Sequence, residues 1–269
     1  MTALRLMAVL AHPDDESLGV GGTLAAYAAE GVEVHVVTAT RGERGRYFTP
    51  DQHPGAEVVG RVREKELRSA ARELGVYDVQ LLGYMDGEVD RAEPVEAIAR
   101  IAGHLRRVRP QVVLTFDSMG AYGHPDHIAI SQLTTAALVA AAGTAPQASG
   151  DATEPHRVSK LYHMAWDDAL WTIYQRAFKR MSSTVDGEVR QASPWPAWSI
   201  TTRIDARAHG ERVWRAVRCH ETQMSVYGAL ADLSPADHET LWGTQGFYRA
   251  MSLVNGGRAT ERDLFAGLR

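Results

Sequence analysis

Two polar clusters in the first half of the chain hold the residue types that a metal-assisted hydrolysis needs. The first lies in Val9-Leu10-Ala11-His12-Pro13-Asp14-Asp15-Glu16-Ser17-Leu18-Gly19, where one imidazole and three carboxylates directly follow an apolar run. The second is Tyr122-Gly123-His124-Pro125-Asp126-His127, downstream of the apolar run Val112-Val113-Leu114-Thr115-Phe116. His12, Asp15 and His127 together give two imidazoles and a carboxylate. That donor set suits Zn²⁺ and leaves a fourth position open, and Fe²⁺ satisfies it as well. A metal so held polarises a carbonyl and acidifies water toward a pKa of ~7. Asp14, beside the ligand Asp15, is the natural general base for such a water. His124 is then expected to protonate a leaving amine or brace an oxyanion, with Asp126 holding its ring and Tyr122 donating to the oxyanion. The chemistry expected of this set is hydrolysis of an amide.

The elements that must bring the clusters together follow from hydrophobic periodicity. Leu6–Ala11 and Val32–Ala39 are expected strands, separated by an Ala-rich helix over Thr23–Ala29 that stops at Gly31. Residues 40–60 have no period and predict an active-site loop. A helix is expected over Arg61–Leu74, a strand over Val79–Leu82, a helix over Pro94–Val108 with Val95, Ile98, Ala102 and Leu105 on one face, and a strand over Gln111–Phe116. Pro125 opens a helix to about Ala142. This alternation predicts an α/β fold, a Rossmann-like, doubly wound and mostly parallel sheet with helices on both faces. In such sheets the first strand lies between the second and the fourth, and ligands bind where the order reverses. The loops after strands one and four flank that crevice, so both clusters are expected to face each other across it.

Beyond residue 142 the pattern weakens. Residues 143–157 predict a loop, Lys160–Ala165 a fifth strand, 181–199 an irregular rim or lid, and Ala206–Met224 one helix with Val213, Val217, His220 and Met224 in a stripe. Ser234-Pro235-Ala236-Asp237 opens a short helix, and the last dozen residues are expected to be polar and peripheral. The expected organisation is one domain over 1–269, with a core at about 4–142 and a rim and C-terminal extension at about 143–269.

At its two clusters the sequence resembles the PIG-L/LmbE-like zinc N-deacetylases, whose signature Ala-His-Pro-Asp-Asp-Glu stands at 11–16 and whose later Gly-His-Pro-Asp-His stands at 123–127. The likeness extends more loosely to Arg63-Glu64-Lys65-Glu66-Leu67 with Leu74-Gly75, to Asp86, and to His220-Glu221-Thr222-Gln223. The resemblance implies a Rossmann-like fold, zinc held at His12, Asp15 and His127, a base at Asp14, and removal of acyl groups from N-acylated glucosamine units. It also implies sugar contacts at Arg63 and Asp86. Its rivals are an amidase of thiol-conjugated glucosaminides, a deacetylase of a secondary metabolite, and a non-catalytic metal-dependent glycan binder.

The bulk composition narrows the partners. With a formal charge of −4 over 269 residues and basic residues interleaved with acidic ones, the chain lacks the footprint of nucleic-acid binding. A small-molecule N-acyl amino sugar fits better. One cysteine, Cys219, excludes an intrachain disulfide and is expected to be a small buried residue. No secretory leader and no apolar run of ~20 residues is evident, so a cytoplasmic protein without membrane contact is expected. Apolar rim residues leave room for a homo-oligomer. Gly19-Val20-Gly21-Gly22 is a poor dinucleotide loop, because Leu24 occupies the third glycine position and three carboxylates precede it. Glu16 is expected either to satisfy backbone N–H groups at the following helix or to touch the metal, His220 to be a core histidine, and Trp195 and Trp198 to pack.

Overall fold

A computed structural model describes residues 3–49, 53–144, 154–178, 182–191, 193–254, 257 and 259–269. Most of the expected 143–157 loop lies outside the described residues, as do residues 50–52 of the 40–60 loop and residues 181 and 192 of the rim.

The first half follows the expected alternation. Strand β1 (Arg5–Leu10) runs into a four-residue helix α1 (Asp15–Leu18), then α2 (Gly21–Ala29), β2 (Glu33–Thr40), α3 (Ala56–Leu74), β3 (Asp78–Tyr84), α4 (Pro94–Val108) and β4 (Val112–Thr115). A distorted turn, α5 (Gly120–Gly123), precedes the long helix α6 (Pro125–Ala142). Helix α3 starts five residues before the expected Arg61, and Gly60 sits inside it because a Cβ there would lie 2.9 Å from Cγ of Glu43. Val95 is 68% exposed, so the buried stripe of α4 is carried by Ala97, Ile101, Ala102, Leu105 and Val108 instead.

The second half differs more. After β5 (Lys160–Met164) come α7 (Asp168–Phe178), a hairpin of β6 (Ser183–Val185) and β7 (Glu188–Arg190), and β8 (Thr202–Asp205). Helices α8 (Gly210–Arg218), α9 (Met224–Ala231) and α10 (Pro235–His238) and strand β9 (Thr244–Ser252) complete the chain. The helix expected over Ala206–Met224 is thus broken at residues 219–223, and part of the expected irregular rim is a hairpin.

Among the described residues seven strands form one sheet in the order β3-β2-β1-β4-β5-β9-β8, parallel from β3 to β5 and antiparallel from there to β8. Ala8 of β1 pairs with both Val36 of β2 and Leu114 of β4, which puts the order reversal beside β1. Leu6 to Ala11 are entirely buried, as a parallel strand covered on both faces requires. The hydroxyls of Thr40 and Thr115 donate to the carbonyls of Ala11 and Val9, pinning the C-terminal end of β1 to its neighbours at the crevice. The chain end is not peripheral. Leu264 and Phe265 are fully buried, and Glu261 accepts from Lys160 Nζ, Tyr162 and Thr202, tying the tail to the antiparallel edge. Burying one such Phe stabilises by about 1.5–3 kcal/mol. No helix among the described residues is long and apolar enough to cross a membrane.

Candidate active site

The chain leaves β1 in a tight turn that folds Asp15 back onto the strand end. Its Oδ2 accepts the backbone N–H groups of Ala11 and His12 at 3.2 and 2.7 Å, leaving Oδ1 at 3.5 Å from Nε2 of His127. His12 Nδ1 lies 3.1 Å from the same His127 nitrogen and 3.8 Å from Asp15 Oδ2. Tetrahedral zinc with bonds of ~2.0–2.1 Å has ligand atoms roughly 3.3 Å apart, so this spacing fits a metal.

The other nitrogen of His12 fixes the tautomer. Nε2 faces Asp126 Oδ2 at 3.0 Å and Asp86 Oδ1 at 3.2 Å, so it carries a proton and turns Nδ1 toward His127. Asp126 therefore holds His12, not His124 as the sequence suggested; backbone N–H groups of Gly87 and Val89 also donate to it. Burial works against a charge on His12, but the hydrogen bonds to Asp126 and Asp86 and the nearby carboxylates raise it to about 10. Burial, with the charges of Asp14 and Glu16 adding to it, pushes Asp15 up to about 7 despite His12. Burial and the neighbouring His12 and His124 push His127 well down. His12 Nδ1 faces His127 Nε2 at 3.1 Å, and a metal ion held by the two would take the place of the proton between them. The ligand atoms of His12, His124 and His127 also lie within 4.8 Å of one another, as do those of His12, Asp86 and Asp126. His124 Nδ1, however, accepts the Asp126 N–H at the start of α6, and Asp86 and Asp126 occupy the far side of His12. Asp15 is the better third donor.

Asp14 adopts φ 101°, a conformation that costs a non-glycine residue on the order of 1–3 kcal/mol. It is held there from both ends. Glu16 Oε2 accepts its N–H at 2.9 Å, while Arg63 Nη2 and the Tyr227 hydroxyl donate to its Oδ2 at 2.8 and 2.5 Å. Arg63 is 4% exposed and also donates to Pro13 O and Gly42 O, so most of its guanidinium fixes Asp14 and the loop, while the residue also lines a polar cavity on the side where the resemblance implies a sugar contact. Gly42 and Gly45 make this possible, since a Cβ at either would lie 2.0 or 2.3 Å from Arg63 Nη1. Asp86 is likewise occupied by His12 and by the Arg44 N–H; against the upward push of burial, these and Arg63 hold it at about 2.

His124 is pushed down to about 4 by burial and by the charge on His12. Neutral, with Nδ1 accepting from the backbone, it keeps its proton on Nε2 and serves as a donor. Burial and the charges of Asp15 and Asp14 raise the Tyr122 hydroxyl, so it too remains a donor. The turn that presents both residues needs glycine at 120 and 123, where φ is 61° and 86° and a Cβ would lie 2.9 Å from Cβ of His127 or Arg190.

Among the described residues, cavities open onto this cluster, one polar and one apolar. One, of about 370 Å³, is polar and includes Arg44, Asp86, His124 and Gln223 in its lining. The other, of about 280 Å³, is walled by Leu18, Phe116, Trp166, Tyr174 and Val226.

A family profile described as "PIG-L: GlcNAc-PI de-N-acetylase" matches residues 7–138. The chain is 36% identical to the 1D-myo-inositol 2-acetamido-2-deoxy-alpha-D-glucopyranoside deacetylase of Geodermatophilus obscurus, over 98% of each chain. It is 34% identical to the mycothiol S-conjugate amidase of Streptomyces coelicolor, over 99% of this chain and 98% of that one. The chain belongs to the PIG-L family. Among solved structures, the conserved protein TT1542 from Thermus thermophilus superposes with a TM-score of 0.66 at 27% identity, covering 94% of this chain and 97% of that one. As a PIG-L protein the chain is an amide hydrolase of the deacetylase type.

The PIG-L reading leaves room for residues that spacing alone does not mark. Tyr227 has no motif around it and passes as a core aromatic of an amphipathic helix; only the fold brings it to Asp14. The segment His220-Glu221-Thr222-Gln223 acts as a clamp. His220 meets Glu16 at 2.8 Å, Thr222 donates twice to Glu66, and Gln223 Nε2 donates to Arg46 O in the loop after β2. Of the two roles open to Glu16 the structure shows the backbone one, at the Asp14 N–H, and His220 is a partnered core histidine, as expected. Trp195 packs against Tyr248 and donates to Asp117, but Trp198 is 88% exposed, contrary to expectation, and Cys219 is only half-buried.

Proposed function

We propose that this chain hydrolyses the N-acyl amide of a glucosamine-containing conjugate, yielding a free amine and a carboxylate, with zinc as the resident metal and an inositol-like polyol as the sugar's partner. Ion ligation is assigned to His12, Asp15 and His127, whose donor atoms face one another and whose chemistry is that of a zinc site. When bound, such an ion polarises the amide carbonyl and acidifies water beside it.

Every other step falls to side chains around it. Asp14 takes the proton of the attacking water; its Oδ2 is held by Arg63 and Tyr227, which leaves Oδ1 for the water. Tyr122 and His124 donate to the oxygen that gains charge as the carbonyl carbon becomes tetrahedral. The C–N bond then breaks and the amine takes a proton, delivered by Asp14 or His124. The polar cavity with Arg44, Asp86 and Gln223 suits the hydroxyls of a sugar conjugate. The observation that carries this reading is that a fixed carboxylate, Asp14, and a neutral donor, His124, line one cavity together with His12 and Asp15, in a chain akin to a deacetylase of an N-acetylglucosamine inositol conjugate. A second reading, cleavage of a thiol-conjugated glucosaminide, draws support from the equally extensive likeness to a mycothiol S-conjugate amidase.

The test is free-amine release by zinc-loaded protein from N-acetylglucosaminides carrying no aglycone, a second sugar or an inositol, with a thiol-conjugated glucosaminide in parallel. Release from an N-acetyl member supports the deacetylase and identifies its aglycone. Release from the thiol conjugate alone moves the assignment to the amidase, and silence from all of them with zinc bound overturns both.

A further inference from the structure

The two cavities share Asp14, Asp15, Tyr122 and Tyr227 in their linings, the residues around the reacting carbonyl on the hydrolase reading above. An amide carries an acyl chain on one side of that carbonyl and an amine on the other. The polar cavity is lined by Arg44, Asp86 and Gln223, which suit a sugar's hydroxyls, and by His124, one of the two groups assigned to protonate the departing amine. The amine and its sugar therefore occupy the polar side, and the acyl group projects into the apolar one.

We infer that the apolar cavity is an acyl chamber, and that this chain prefers N-acyl groups of about four to eight carbons, straight or aryl, over acetyl. The methyl of an acetyl group takes up about as much space as one water molecule, ~30 Å³, and leaves most of a 280 Å³ cavity unfilled. Beyond Asp14, Asp15, Tyr122, His127 and Tyr227, which belong to the reacting centre, the lining is Leu18, Gly19, Phe116, Trp166, Tyr174 and Val226, a mostly apolar wall beside which water is a poor occupant. Nor are the walls free to close over the space. Trp166 stacks on Tyr174 at 4.6 Å, the Tyr174 hydroxyl donates to Leu18 O at 2.6 Å, and Phe116 stacks on His127 at 3.9 Å. The chamber is preformed, and each methylene placed in it is removed from water at no cost in rearrangement. Hydrolysis remains balanced: the water oxygen bonds to the carbonyl carbon, the C–N bond breaks, the amine takes the proton, and a longer carboxylate leaves in place of acetate.

The inference rests on the amide-hydrolase reading, and two ladders separate them. In the first, zinc-loaded protein is given N-acetyl, N-butanoyl, N-hexanoyl and N-benzoyl forms of one glucosaminide, and amine release is followed. Burial of a methylene predicts a rise in kcat/KM of about fourfold per added CH₂ as far as hexanoyl. Val226→Trp, which plugs the rim where Val226 is 37% exposed, is expected to lower the hexanoyl-to-acetyl ratio at least tenfold. The second ladder needs no turnover: binding of acetate, butanoate and hexanoate to the same protein is measured by calorimetry and is expected to tighten with length in wild type but not in Val226→Trp. A turnover ladder that falls with chain length overturns the acyl chamber while leaving the hydrolase in place. If no amide is turned over, the hydrolase reading falls and the alkanoates alone decide, with flat affinity overturning the chamber and rising affinity upholding it.

Discussion

The Tyr227 hydroxyl donates to Oδ2 of Asp14 at 2.5 Å from a helix 213 residues further along the chain, and shares that oxygen with Arg63 Nη2 at 2.8 Å. Two donors on one carboxylate oxygen stop it rotating and leave the other oxygen for a water. Hydrogen bonds to a charged group contribute about 1.5–3 kcal/mol. Tyr227→Phe is therefore expected to lower kcat roughly ten- to a hundredfold. Zinc content, measured by elemental analysis, should not change, because the hydroxyl donates to Asp14, which is not an assigned ligand. An unchanged kcat would remove Tyr227 from the orientation of the base.

Gly45→Ala tests the other donor. A Cβ at residue 45 would lie 2.3 Å from Arg63 Nη1 and 3.0 Å from its Cζ, and φ at Gly45 is not in the left-handed range, so the effect comes from contact and not backbone strain. The guanidinium must retreat from Pro13 O and Asp14. The expected result is at least a tenfold loss of kcat, with a thermal midpoint that moves far less than for a core truncation. A kcat equal to wild type would mean that Arg63 can leave Asp14 without consequence.

Asp14→Asn and His12→Ala should separate chemistry from ligation. Asn cannot take the proton of water, and loss of a general base typically costs 10²–10⁴-fold in rate. Zinc should remain at about one per chain. His12→Ala removes a ligand and should lose both zinc and activity. Asp14→Asn with wild-type turnover would rule out the base assignment, whereas zinc retained in His12→Ala would rule out the ligand.

The part of this site that could be read from sequence is the part set by strand order. His12, Asp15 and His127 sit in the turns and helix starts that follow β1 and β4, and a parallel sheet whose order reverses at β1 must bring those segments together. Partners chosen by side-chain direction were not legible. Asp126 stands two residues from His124, yet as the second residue of α6 it points across the crevice to His12. Arg63 announced a helix charge near the site, but its burial depends on two glycines eighteen and twenty-one residues earlier. Strand β9 escaped notice because Thr244-Gln245-Gly246-Phe247-Tyr248-Arg249 does not alternate cleanly: Phe247 is buried, whereas Gln245 is buried for its bonds to Thr23 N and Gly19 O. The continuous helix expected over 206–224 follows a genuine apolar stripe. It breaks at 219–223 because the backbone turns there to set His220 against Glu16.

That Glu16–His220 pair is fully buried and should make stability depend on pH in a defined window. Against the upward push of burial, the charge and hydrogen bond of His220 hold Glu16 below its ordinary 4.5, so its contribution is complete above 4.5 and is lost as pH falls through the folded value. Burial opposes the charge on His220, but Glu16 raises it above its ordinary 6.5, so its contribution is complete below 6.5 and is lost as pH rises through the folded value. The pair is whole between pH 4.5 and 6.5. Urea unfolding of wild type and His220→Gln should differ most in that window and less on either side of it. His220→Ala, which leaves a buried carboxylate unpaired, should cost about 3–5 kcal/mol. A wild-type-minus-Gln difference that stays flat from about pH 4 to 9 would mean that the pair is not ionic.

Metal affinity should rise with pH in two regimes. Without metal, His12 stays protonated to about 10 and Asp15 to about 7, the first through Asp126 and Asp86 in spite of burial, the second through burial. A cation can take His12 Nδ1 and Asp15 only after both have given up their protons. Below pH 7 binding therefore displaces close to two protons, and between 7 and 10 close to one. Log affinity for zinc should climb about twice as steeply per pH unit below 7 as above it, and calorimetry in buffers of different ionisation enthalpy should count the same protons. Chelation should lower the thermal midpoint and zinc should restore it, since ligand at a hundredfold its Kd stabilises by about 2.7 kcal/mol. An affinity independent of pH between about 6 and 9 would show that His12 and Asp15 do not hold the ion.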